Sequence, residues 1–211
     1  MSSEFIKRIL SSIVLLPLIF FIVIEGSFLF VIFLVICFFI SVLEWNNMSK
    51  KLKYKNFGLI FLLISFLSIY NLRLNYNDNY ILFMYVIIIC VSTDIGGYIF
   101  GKLFKGPKLT IYSPNKTIAG MLGGFVMSIL AMYVLIYIYE DQNFSIKLLA
   151  FVIFISVISQ LGDITVSFFK RLAKIKDTGK IIPGHGGLLD RIDGMIFAFP
   201  FSNIFIFINF Y

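Results

Sequence analysis

Three aspartates, Asp163, Asp190 and Asp193, and the cations around them are the residues of this chain best suited by type and spacing to do chemistry. The stretch from Ser167 to Gly194 gathers Lys170, Arg171, Lys174, Lys176, Lys180 and Arg191 with Asp177, Asp190 and Asp193. It also holds the only histidine, His185, and glycines Gly184, Gly186 and Gly187. Carboxylates can hold a divalent metal, cations can balance a polyphosphate, and backbone N–H groups beside glycine can point at an anion. Asp190 and Asp193 are three apart, so a helix begun there aims both at one side and sends Arg191 elsewhere. The preceding P-G-H-G-G could be a plain interhelical loop, but the D-R-I-D that follows at once raises it to a phosphate turn. His185 is placed to donate to a phosphate, and without a second His or suitably spaced Cys a ligand role is the weaker reading.

Upstream, Asp163, Ser167 and Lys170 or Arg171 fall at spacings of four and seven or eight, one stripe along a helix. Lys170 and Arg171 also read as ordinary anchors at a helix end, and their place beside the polar island is what favours phosphate. A second polar block runs from Ser92 to Gly124. Ser113, Lys116 and Thr117 lie just before an apolar run, where a cation and two hydroxyls could hold a phosphate at a helix N-terminus. Gly97 and Gly101, and Gly120 and Gly124, are GxxxG pairs and read first as packing devices. There is no Walker A pattern, so a P-loop is excluded. Asp94 lies inside an apolar run, where an ionisable residue costs roughly 2.5–3.5 kcal/mol to insert; a site role and a packing role suit it about equally. Asp94 and Asp177 are the secondary candidates.

These residues are carried by a chain of 211 residues that is 60% hydrophobic and only 14% charged, with mean hydropathy +0.97. That balance excludes a soluble globular domain and implies an all-α integral membrane protein. Apolar runs at about 9–24, 27–43, 57–70, 80–100, 118–139, 146–168 and 194–211 make a polytopic bundle of about seven spans. With the N-terminus cytoplasmic, sixteen of the 18 Lys and Arg fall on the inner side and only Arg73 and Lys147 on the outer. The net charge of +7 is therefore a topology signal rather than a sign of nucleic-acid binding. In this arrangement Asp94, Asp163, Asp190 and Asp193 all approach the cytoplasmic face. Cys37 and Cys90 sit inside spans and read as small buried hydrophobes. We expect a single membrane domain over 1–211, with little chemistry in 1–91 and the catalytic part in 92–211.

The run S-x-S-F-F-K-R-x-x-K-x-K-D-x-G-x-x-I-P-G-H-G-G-L-L-D-R-I-D resembles the signature of the phosphatidate cytidylyltransferases, or CDP-diacylglycerol synthases. The likeness extends through Q-L-G-D at 160–163, T-D-I-G-G-Y at 93–98 and S-P-N-K-T at 113–117, and weakly to R-I-L at 8–10 and E-W-N-N-M at 44–48. It implies transfer of the cytidylyl group of CTP to phosphatidate, giving CDP-diacylglycerol and pyrophosphate, with one or two Mg²⁺ held by Asp163, Asp190 and Asp193. Lys170 joins these three aspartates as catalytic. Ser113, Lys116, Thr117, Ser167, Lys170, Arg171, Lys176, His185, Gly186, Gly187 and Arg191 are left to bind the substrate phosphates. The resemblance also implies a homodimer in the cell membrane with its active site toward the cytoplasm.

Departures are Asn115, Ile118 and Ala119, where the family carries lysine, tryptophan and glutamate, and a length between Met48 and Ser92 shorter than usual. We expect a trimmed but active member. A CTP-dependent polyprenol or phytol kinase, or a cytidylyltransferase for another lipid phosphate, is the alternative, and the intact K-R to D-R-I-D block disfavours the kinases. A CDP-alcohol phosphotransferase needs further aspartates beyond D-R-I-D-G, and no acid follows Asp193. A transporter would carry its acids near mid-membrane rather than at one surface.

Overall fold

The structure is a computed structural model that describes residues 17–50, 53–74, 80–139, 145–181 and 186–210. Helix covers residues 17–25 (α1), Ser27–Met48 (α2), Lys55–Leu74 (α3), Ile81–Phe104 (α4), Ile118–Tyr139 (α5), Ile146–Leu172 (α6), Leu189–Ile192 (α7) and Met195–Phe210 (α8). Outside the helices Lys108 and Thr117 form an isolated antiparallel bridge. Five of these helices, α2 to α6, are long and apolar enough to cross a membrane, and α8 is a shorter apolar helix. The chain is thus an all-helical integral membrane protein. Serines within the spans turn their hydroxyls onto carbonyls of the preceding turn, as Ser41 does to Cys37 at 2.8 Å and Ser65 to Phe61 at 2.8 Å. Cys37 and Cys90 are free thiols.

Two differences from the hydropathy reading matter for the site. Helix α2 continues past residue 43 to Met48, and α6 past 168 to Leu172, so polar residues at their ends are helical. The expected single helix from 194 is preceded by a separate four-residue helix, α7. Asp193 and Gly194 form a turn between α7 and α8, so Asp190 and Asp193 do not share one face of a continuous helix.

Residue contacts group the chain into two compact units, Met1–Tyr80 with Phe169–Ile192, and Ile81–Phe168 with Asp193–Tyr211. In the first unit the break between α1 and α2 falls at Gly26, whose φ of 65° suits a residue without Cβ. Arg73 reaches this break and donates to the carbonyls of Val23 at 2.9 Å and Ile24 at 3.2 Å, satisfying acceptors that the interrupted helix leaves open. Trp45 packs edge-on against Phe169 with centroids 5.2 Å apart and donates to the Lys55 carbonyl at 2.9 Å. Gly58 lies under its indole, where a Cβ would strike the ring.

In the second unit α4 and α5 pack through glycine. A Cβ on Gly96 would strike the Gly123 carbonyl and Met127; one on Gly120 would lie 2.7 Å from the Gly97 carbonyl oxygen. Gly97 and Gly101 both lie against Gly120, with Gly101 also beside Thr117, while Gly124 meets Thr93 and Gln160. Elsewhere in this unit Phe83 stacks on Phe199, and Thr93 and Ser156 share a buried hydrogen bond of 2.8 Å.

Candidate active site

In the second unit, α4, α5, α6 and the segment before α5 enclose a cavity of about 320 Å³. Its wall includes Asp94 and Tyr98 from α4, Ser113, Asn115, Lys116 and Thr117 before α5, and Gln160 and Asp163 from α6. Thr117 is the residue before α5, and its Oγ1 accepts the Gly120 N–H at 3.0 Å, as an N-cap does. The Lys116 N–H donates to the Ser113 carbonyl at 3.0 Å, and the Ser113 N–H to Thr110 Oγ1 at 3.1 Å, so a compact turn presents these residues. The Lys116 ammonium pairs with Asp163 Oδ2, and Ser167 Oγ donates to Asp163 Oδ1 at 3.3 Å, the i to i+4 contact expected of the α6 stripe. Asp94 and Asp163 both line this cavity, so two of the expected carboxylates, two hydroxyls and a lysine are brought together at the start of a long helix.

The first unit holds a second polar cluster, built on the end of α6, the following loop and α7. Lys170 donates to Asp190 Oδ1 at 2.8 Å, with the side chains 13% and 5% exposed. Asp190 Oδ2 accepts the N–H groups of Thr178 at 2.8 Å and Gly187 at 3.1 Å. Burial by itself raises the Asp190 carboxyl, but the Lys170 hydrogen bond, the Thr178 N–H, the lysine charge and the Gly187 N–H together hold it below the usual carboxylate range. Gly186 has φ of 90° and lies close under this carboxylate, where an added Cβ would sit 3.1 Å from Asp190 Oδ2. Asp177 is exposed, as are Arg171, Lys176 and Arg191. His185 falls outside the described residues. In the second unit Asp193 Oδ1 accepts the Gly194 N–H at 2.9 Å, holding the turn before α8.

Glu44 enters the sequence reading only as the first residue of the weak E-W-N-N-M likeness, with no site role. It is 3% exposed, in the last turns of α2. Its Oε1 accepts the Leu188 N–H at 3.0 Å, and its Oε2 accepts the Leu189 N–H at 2.8 Å and the Thr178 hydroxyl at 2.9 Å. The signal was present: an ionisable residue within an apolar helix is a site candidate by default, but hydropathy ended that span one residue short of it. Tyr98, Gln160 and Asn115 are further cavity residues that sequence did not select.

The model of the cytidylyltransferase family matches residues 6–77 and 55–209 of this chain. The chain is similar to the phosphatidate cytidylyltransferase of Staphylococcus haemolyticus, 41% identical over 145 residues, 68% of this chain and 54% of the relative. Over the same length it is 44% identical to that of Staphylococcus epidermidis and 40% to that of Staphylococcus aureus. It spans about half the length of the curated relatives it matches. The family-model match covers both polar blocks from which the cavity and the Lys170–Asp190 cluster are built, and on it and these relatives the chain belongs to the cytidylyltransferase family.

Proposed function

We propose that this chain is a phosphatidate cytidylyltransferase. A phosphate oxygen of phosphatidate attacks the α-phosphorus of CTP, the bond to the β-phosphate oxygen breaks, and CDP-diacylglycerol and pyrophosphate leave. The observation that carries this reading is the cavity at the start of α5, where Ser113, Lys116 and Thr117 share a wall with Asp94 and Asp163. Two anions must be brought together and negative charge grows on the leaving group, so a cation and oriented N–H and O–H donors address the main obstacle. The phosphate of phosphatidate is already anionic near neutral pH, so positioning matters more than a strong general base.

The acidic donors are hard oxygens, which suit Mg²⁺, an ion that commonly takes one or two protein carboxylates and completes its shell with water and substrate phosphate. Among the described residues no group of three His, Cys, Asp or Glu side chains could hold a metal, and the pair Asp94 and Asp163 meets the smaller requirement. Asp163 would hold the ion together with Asp94, and when bound it would neutralise charge developing on the pyrophosphate. Lys116 holds Asp163 in place and offers its own charge to the nucleotide phosphates. In the first unit Lys170 is fixed by Asp190, and Arg171, Lys176 and Arg191 are exposed cations suited to phosphate capture. The apolar helix surfaces suit lateral entry of the acyl chains.

The finer reading is seven spans with a cytoplasmic N-terminus, a catalytic centre facing the cytosol where CTP is dissolved, and a homodimer in the cell membrane. Purified protein in detergent, given phosphatidate, labelled CTP and Mg²⁺, should form CDP-diacylglycerol and pyrophosphate, and EDTA should abolish turnover. Activity on a polyprenol instead, or no lipid-dependent use of CTP, would defeat the assignment.

A further inference from the structure

Glu44 is a buried carboxylate that, among the described residues, is met by hydrogen-bond donors rather than by a cation. Its three donors come from the two stretches that flank residues 182–185: the Thr178 hydroxyl on one side, the N–H groups of Leu188 and Leu189 on the other. Those same stretches supply Asp190 Oδ2 with the N–H groups of Thr178 and Gly187. Thr178 thus gives its side chain to one carboxylate and its backbone to the other. The approach is close: a Cβ on Gly179 or Gly187 would run into the Glu44 carboxylate, so both positions are shaped to let it in. The Leu188 and Leu189 N–H groups lie at the start of α7, where a short helix has open donors, and Glu44 satisfies them from a different element.

We infer that Glu44 is a positioning residue for Asp190: it clamps Thr178 and residues 187–189 from α2, so that two backbone N–H groups hold the Asp190 carboxylate in the orientation the reaction uses. This rests on the cytidylyltransferase reading for its catalytic consequence, though not for the clamp itself. A carboxylate suits the task because both of its oxygens accept and neither donates. An amide at this position must turn its NH₂ toward either the Leu188 N–H or the Leu189 and Thr178 donors, leaving at least one of them opposed.

The test uses the full chain in detergent. Glu44→Gln should lower kcat by about tenfold or more, the loss expected when buried donors to a charged acceptor are set free, with KM for CTP and phosphatidate within about threefold. Glu44→Asp, which keeps the charge on a shorter stem, should recover part of the loss. Glu44→Gln and Thr178→Val should combine to less than the product of their separate effects, because they break one shared contact. Trypsin should cut after the exposed Lys176 and Lys180 faster in Glu44→Gln than in the unaltered chain. Leu62→Ala, a truncation in the buried core of the same unit, serves as the control for general loosening, lowering thermal stability without changing kcat per folded molecule.

A kcat for Glu44→Gln within about twofold of the parent would overturn the inference, as would multiplicative effects of the two substitutions or unchanged cleavage, since coupled sites depart from additivity. Where Glu44→Gln does not accumulate, Glu44→Asp and Thr178→Val carry the same comparison. If the unaltered chain makes no CDP-diacylglycerol, the proposed activity fails, and the clamp is then judged on tryptic cleavage alone.

Discussion

Replacing Asp190 by asparagine should destabilise the protein as well as stop it, and the structure says how the two effects separate. The Lys170 ammonium and the Asp190 carboxylate are 13% and 5% exposed, and the carboxylate takes two further N–H bonds. Asparagine keeps the shape but has one acceptor oxygen. If that oxygen faces Lys170, an NH₂ group confronts the Thr178 and Gly187 N–H groups; if it faces them, the ammonium loses its anion. Breaking a buried pair from one side costs about 3–5 kcal/mol, and the remaining exposure here argues for the lower end. At roughly 2–4 °C per kcal/mol for a chain of this size, Asp190→Asn should melt about 6–12 °C lower. Adding Lys170→Met removes the stranded charge and lets the amide oxygen serve both N–H groups, so the double variant should regain about 1.5–3 kcal/mol over Asp190→Asn. It should regain no activity, because the carboxylate is still missing. Thermal unfolding of the four proteins in one detergent, beside their turnover, provides the measurement. A melting point for Asp190→Asn within about 2 °C of the parent, or a double variant less stable than both single ones, would refute the reasoning.

The depressed Asp190 carboxyl adds a pH prediction: its stabilising contribution is fully present above the unfolded carboxylate value of about 3.9 and is lost as pH falls through the lower native value. The melting difference between the parent and Asp190→Asn should therefore be flat from neutral pH to about 5 and shrink at more acid pH. The Lys116–Asp163 pair is 28% and 25% exposed, so Lys116→Ala should cost less than about 1 kcal/mol of stability yet raise KM for CTP about tenfold or more. Single cysteines at Asn56 and Asn143, in a chain lacking Cys37 and Cys90, should label from opposite sides of the membrane, Asn56 from the cytoplasm; labelling from one side would sink the seven-span reading.

The apolar helices were legible because hydropathy is a property of the chain itself, and α3 to α6 begin within two residues of the apolar runs that marked them. So was the stripe on α6, since Ser167 does reach Asp163 one turn away. The GxxxG pairs, read as packing devices, lie at the α4–α5 contact. Less legible was anything that depends on a partner distant in sequence. Glu44 ends an apolar run and meets donors 134 to 145 residues away, which no spacing rule anticipates. The break at Asp193 and Gly194 was also hidden, because D-R-I-D-G followed by an apolar run looks like an unbroken helix start. Lys116 was chosen as a phosphate cation; its pairing with Asp163 emerged only once α6 was placed beside the turn before α5.

The glycine contact between α4 and α5 bears on how this pocket could be redesigned. Where backbones touch with no side chains between them, the two helices form a wall of fixed spacing: an added methyl on Gly96 or Gly120 meets a carbonyl, which has no rotamer through which to yield. On the proposed function, nucleotide preference is therefore not tunable from those positions by widening or narrowing the gap. The adjustable parts are residues 105–112, which begin with φ values of 51° and 100° at Lys105 and Gly106, and the side chains of Tyr98, Asn115 and Gln160. A library built to change which base is accepted should vary those residues and leave the glycine rows untouched.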